Sequence, residues 1–242
     1  MRALTKPDRS ILGASHLPSL GSDFVKLMHI PLPFCVLAFA TIGASFSDYV
    51  HYDRLLLTYA GILLALCLGA YSLDELHGRP YHAKFSDRSL WILAIIGITG
   101  GGLVGAYLIL SVNALIAIPA VHALFFILVY NLELFGGRFH NAWWFGLSWG
   151  GLTTFGGYYV QSVRFSIPVL IMSVMASLIG VSIVSLTHKF RPDEFRKKLE
   201  TARAEDLIAF SRYSRKTAWL IAQMECYAMM MLAAALIIPK IH

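Results

Sequence analysis

The feature that most constrains this chain is a succession of apolar runs about twenty residues long, the length a helix needs to cross a ~30 Å hydrocarbon core. Seven are read: Phe24–Phe46, Leu55–Leu73, Leu90–Leu110, Ala114–Tyr130, Trp143–Val160, Phe165–Leu186 and Thr217–Pro239. Strands of a membrane barrel would run for about 10 residues and alternate apolar with polar, which these runs do not do. Backbone groups in lipid must satisfy one another, which leaves helices as the spanning element. The expectation is an all-α, polytopic transmembrane bundle of about seven spans, forming a single domain over residues 1–242. Composition agrees, since 14% of the residues are charged, against roughly 25% in a soluble domain.

The basic residues give an orientation. All 20 Lys and Arg except Arg54, Arg164 and Lys240 fall on one side of the expected bundle, and such an excess marks the cytoplasmic face. The N-terminus is then cytoplasmic and the C-terminus outside, with the cell membrane as the expected location. The net charge of +6 is thus laid out by topology, and no nucleic-acid partner is expected. Met1–Asp23 is polar, and no small-residue cleavage pattern follows the first apolar run, so no cleavable signal peptide is read. Cys35, Cys67 and Cys226 lie inside apolar runs, as buried thiols rather than a disulfide framework.

Two local patterns add detail. Gly97, Gly101 and Gly105 recur every four residues in the third run, and Gly146 and Gly150 do so in the fifth. Small residues at that spacing let helix backbones approach closely in lipid, either inside one bundle or across a homodimer. Residues 191–216 form the one charged block. Pro192, Asp193 and Glu194 make a helix start, and Phe195, Leu199, Ala202 and Phe210 fall near one stripe. An amphipathic helix on the cytoplasmic interface is expected there, held partly by membrane lipids.

Chemistry is sought where ionisable groups crowd the ends of apolar spans, because they need partners, water or a ligand. The stretch YSLDELHGRPYH brings Asp74, Glu75, His77, Arg79 and His82 together; Lys84 and Asp87 follow. Two more loops expected on the same face add Asn131, Glu133, Arg138 and His140, then His188, Lys189, Arg191, Asp193 and Glu194. Three readings stay open at this point. Carboxylates could hold Mg²⁺ against a diphosphate while Arg and Lys pair with its oxygens. His77, His82, His140 and His188 could ligate a transition metal. The third reading is an ordinary positive-inside loop set. Within the spans, Glu225 and His122 are the ionisable candidates. Glu225 is read as a neutral acid inside the bundle or lining a substrate cavity. His122 is read as a core histidine bonded to a neighbouring helix.

Several stretches resemble the UbiA superfamily of intramembrane prenyltransferases. KLMHIPLP is similar to the start of that family's first helix, and AYSLDELHGRP places Asp74 on the first aspartate of its Asn-x-x-x-Asp-x-x-x-Asp signature. VYNLELFGG is similar to its Tyr-rich cytoplasmic turn, and FGLSWGGLTTFGGYYVQ to its glycine-rich fifth helix. Together they cover roughly Lys26 to Lys189. Ala70 stands at the signature's asparagine and Gly78 at its second aspartate, and SLTHKFRPDEFR stands where the family carries a second aspartate-rich motif. The family usually has nine spans.

The resemblance implies transfer of a prenyl group from a prenyl diphosphate to a lipophilic acceptor. Asp74 and Glu75 would be the catalytic residues holding Mg²⁺, and Arg79, Arg138 and Lys189 would neutralise the diphosphate. Tyr130 and Tyr158 would shelter the allylic cation. His77, Asn131, Glu133, His140, His188 and Glu225 complete the expected substrate-binding set. The alternative is a non-catalytic protein that binds an isoprenoid or quinone-like lipid, or a structural subunit of a membrane complex.

Overall fold

The computed structural model describes residues 19–28, 31–188 and 204–240, and every regular element among them is helical. α1 is Ser19–Met28, α2 Leu32–Ser45, α3 Tyr52–Leu76 and α4 Asp87–Ser111. A 3₁₀ turn, Ala114–Ile116, leads into α5, Ala117–Asn131. α6 occupies residues 142–162, α7 is Ile167–His188, and α8 is Ala204–Ile237, closed by a 3₁₀ turn at Ile238–Lys240.

Five helices are long and apolar enough to cross a membrane: Tyr52–Leu76, Asp87–Ser111, Ala114–Asn131, Ile167–Leu186 and Thr217–Ile237. This is fewer than the seven read from sequence, and both differences have local causes. The expected first span is two helices, α1 and α2. Pro31 caps α2 and Pro33 sits in its first turn, where a missing N–H costs nothing. α2 has 14 residues, only about 21 Å at the α-helical rise. The fifth, α6, is long enough, but Gly, Ser, Thr, Tyr and Gln dilute its apolar character. The first half of the expected interfacial helix over 191–216, residues 191–203, lies outside the described residues. Its last part, 204–216, is helical and runs unbroken into the final span as α8.

α2 is the axis of the bundle. It is buried almost all round, from Cys35 through Ser45, and it packs against α3, α6, α7 and α8. The approach is close because two helices present glycine: a Cβ on Gly43 would stand 1.9 Å from the Thr154 carbonyl oxygen, and one on Gly157 2.1 Å from that of Ala40. The ladders read from sequence serve the same end within one chain. Gly97 and Gly101 lie against α3, and Gly146 and Gly150 against α7. Gly105 instead leaves room beside Ala120. The outer faces of α4 and α5 carry exposed Ile92, Ile95, Leu103, Leu110, Val121 and Leu124, a surface suited to hydrocarbon rather than water.

Two helices widen where they make these contacts. Leu64–Ala70 of α3 and Gly146–Leu152 of α6 are π-helical, a winding that often marks functional positions. Both stretches contribute walls to the cavities described below. At the far end of the bundle the C-terminal turn is tied down. Lys240 Nζ donates to the Ser47 carbonyl (2.6 Å), and Tyr52 Oη donates to the Lys240 carbonyl (2.8 Å). Arg54 donates to the carbonyls of Val160 and Gln161, so two of the three basic residues of that end are spent on backbone.

Candidate functional site

At the end of α3 the chain turns back through a loop, residues 77–86, before α4 begins at Asp87. Gly78, Arg79 and His82 all have positive φ there, and Glu75 is what holds the turn. Its side chain is fully buried. Oε2 accepts from the Tyr81 N–H (2.9 Å) and Oε1 from the Ala83 N–H (2.8 Å). Arg79 joins the same scaffold: it donates to the Phe85 carbonyl (2.6 Å) and pairs with Asp87. The loop so formed points Tyr81 back toward α3, where its hydroxyl donates to Asp74 Oδ2 (2.7 Å).

Tyr81 and Asp74 lie on the wall of a cavity of about 450 Å³. α1 supplies Lys26, the start of α2 supplies Pro31 and Leu32, and α3 supplies Leu66, Ala70, Tyr71 and Asp74. From α5 and the loop after it come Tyr130, Asn131 and His140, from α6 Phe145 and Trp149, and from α8 Trp219, Ala222, Gln223 and Cys226. Helix ends distant in sequence thus converge on one space, as short antiparallel connections require. His140 stacks on Tyr130 with ring centroids 4.4 Å apart, and its Nδ1 meets the Tyr130 carbonyl at 3.0 Å. A carbonyl only accepts, so Nδ1 carries the proton and Nε2 of the neutral ring is an acceptor.

The electrostatics are nearly balanced. Lys26 donates to Asp23 at 2.8 Å, and this bond holds the Asp23 carboxyl below its ordinary range. Burial pushes the Tyr81 phenol well above its usual range, and the neighbouring Asp74 charge adds to the effect. Tyr81 therefore stays a proton donor to Asp74 at any physiological pH.

A second cavity of about 350 Å³ lies between α3, α4, α5 and α6. Its walls are almost wholly apolar, with Ile62, Val104, Gly105, Ala120, Phe126 and Leu152 among them. Trp149 belongs to the walls of both cavities.

The structure therefore sorts the residues singled out from sequence. Asp74, Tyr130, Asn131 and His140 share the polar cavity. Glu75 and Arg79 are spent on the loop, and His77 is exposed with Nδ1 on the Leu73 carbonyl of its own helix. Glu133 and Arg138 are exposed and form no part of the cavity wall. Glu225 is half-buried between α8 and α7, where Oε1 accepts from Ser182 Oγ at 3.0 Å. Tyr158 is buried away from both cavities. His122 is exposed and bonded to the Ile118 carbonyl of its own helix, not to a neighbouring one. The His188 side chain, Lys189, Asp193 and Glu194 lie outside the described residues. Lys26, Tyr81, Trp149 and Trp219 were not singled out from sequence. Tyr81 had a signal, a phenol seven residues after Asp74 across a Gly-containing turn.

The residues implied for Mg²⁺ do not fit it. Glu75 gives both oxygens to backbone amides, and Asp74 remains as a single carboxylate that already accepts from Tyr81. Among the described residues no group of three His, Cys, Asp or Glu is placed to hold a metal ion. No protein-family model, no curated protein and no solved structure matches the chain.

Proposed function

We propose that this membrane protein binds an isoprenoid lipid with an uncharged, hydrogen-bonding head, of which a quinone is the simplest example. The head occupies the polar cavity beside Asp74 and Tyr81, and the tail passes Trp149 into the apolar one. One observation carries the reading: among the described residues the polar cavity's wall holds one carboxylate, Asp74, and one ammonium, Lys26, already engaged by Asp23. A prenyl diphosphate brings about three negative charges, and an uncompensated buried charge is strongly disfavoured. Of the three cations that would have met it, Arg79 and Arg138 belong to other surroundings and Lys189 lies outside the described residues. A flat neutral head instead finds aromatic faces in Tyr71, Phe145, Trp149 and Trp219, with Gln223 and Lys26 as donors.

In this reading the polar cavity opens toward the cytoplasm, following the distribution of Lys and Arg. Prenyl transfer is the competing reading, and Asp74 on the cavity wall is the observation that favours it. The two are separated by titrating the purified protein with a short-tailed quinone and following Trp fluorescence. Saturable quenching, displaced poorly by farnesyl diphosphate and unaffected by EDTA, supports the binding protein. Tight diphosphate binding that requires Mg²⁺ would reject it.

A further inference from the structure

Two of the three cysteines sit together at this site. Cys35 on α2 and Cys226 on α8 lie in the same buried cluster where the two helices pack together. They are 0% and 3% exposed and belong to one apolar cluster. Positions 219, 222, 223 and 226 share one face of α8 at helical spacing, and all four line the polar cavity. Cys35 lies one turn beyond Pro31 and Leu32, which also line it. The thiol pair therefore forms part of the boundary between the cavity and the bundle core. Only the Cys226 side faces the ligand space.

We propose that Cys35 and Cys226 act as a dithiol that a quinone in the polar cavity oxidises to a disulfide. This rests on the quinone-like occupant proposed above. The step balances without a further reagent: two S–H bonds break, one S–S bond forms, and both hydrogens and two electrons pass to the quinone, giving the quinol. Three features fit it. The two cysteines belong to one buried cluster at the α2–α8 contact, so bridging them joins helices that already pack together. The pair is buried, so exchange with soluble thiols and disulfides is limited by access. An apolar oxidant bound in the cavity is not limited in that way. Cys67 supplies an internal control, because it is buried and lies on neither cavity wall.

The test uses the full chain, reduced and purified in detergent, mixed with decylubiquinone. Its ring is fully substituted, so a thiol has no unsubstituted ring carbon to add to. The protein is then quenched in acid, unfolded and alkylated, and its mass is measured while quinol formation is followed by absorbance. The expected product carries one alkyl group, on Cys67, and has lost two hydrogens, with one quinol formed per disulfide. A Cys35→Ser variant that melts like the parent should form no quinol while still showing Trp quenching, since Cys35 is not on the cavity wall. If quinone quenches Trp fluorescence but all three thiols remain alkylatable, the redox step is overturned and the binding reading stands. If no quenching occurs, the binding reading falls and this proposal falls with it.

Discussion

Replacing Glu75 separates a loop-holding role from a metal-holding one. Its two oxygens accept from the backbone N–H groups of Tyr81 and Ala83 at 2.9 and 2.8 Å, in a site with no solvent exposure. A buried donor left without a partner costs ~1–3 kcal/mol, and a bond to a charged group contributes ~1.5–3 kcal/mol. Glu75→Ala removes both acceptors and should cost about 3–6 kcal/mol. Glu75→Gln keeps one oxygen but turns an NH₂ toward the other N–H, so about half that loss is expected. Thermal unfolding in detergent should rank wild type above Gln and Gln above Ala. Amide exchange should rise most at Tyr81 and Ala83, because their protection depends on the carboxylate. A Glu75→Ala protein that melts like wild type yet no longer binds ligand would refute this account and return Glu75 to the site.

Other outcomes follow from the same geometry. Gly43→Ala should sharply lower folded yield, since its Cβ would meet the Thr154 carbonyl at 1.9 Å; Gly102→Ala, with nothing within 4 Å, should gain about 1 kcal/mol from helix propensity. Equal melting temperatures for the two would contradict the α2–α6 crossing. The Asp23 carboxyl titrates below its unfolded value of 3.8, so its contribution is fully present above that pH and is lost as pH falls through the lower folded value. Exchange of α1 amides should therefore accelerate only in that acid window, and Asp23→Asn should remove the pH dependence. Arg79→Ala should lower stability through the loop while leaving quinone affinity within twofold; a tenfold loss of affinity in a folded variant would place Arg79 at the ligand.

Much of the fold was legible because span length is set by the bilayer and glycine spacing by helix packing. Gly97 and Gly146 announced their contacts in that way. The central place of α2 was not legible, because Gly43 and Gly157 contribute one close approach each and form no four-residue ladder. The split near Pro31 could be read only by weighing proline against an otherwise continuous apolar run. At the site, sequence brought the right loops together but not the right side chains. Whether Glu75 faces a ligand or its own loop depends on the backbone at Gly78, Arg79 and His82, where two non-glycine residues adopt positive φ. Composition does not encode that turn. Trp149 and Trp219 read as ordinary span residues until α6 and α8 are placed around one cavity.

The central claim is that the polar cavity takes an uncharged head, and the most direct test is to identify what the protein carries. Lipid extracted from protein purified out of its membrane, analysed by mass spectrometry beside an Asp74→Ala and Trp149→Ala pair, should contain a neutral isoprenoid such as a quinone. Both variants should carry less of it. Recovery of a prenyl diphosphate instead, with Mg²⁺-dependent prenyl transfer abolished by Asp74→Ala, would contradict the account.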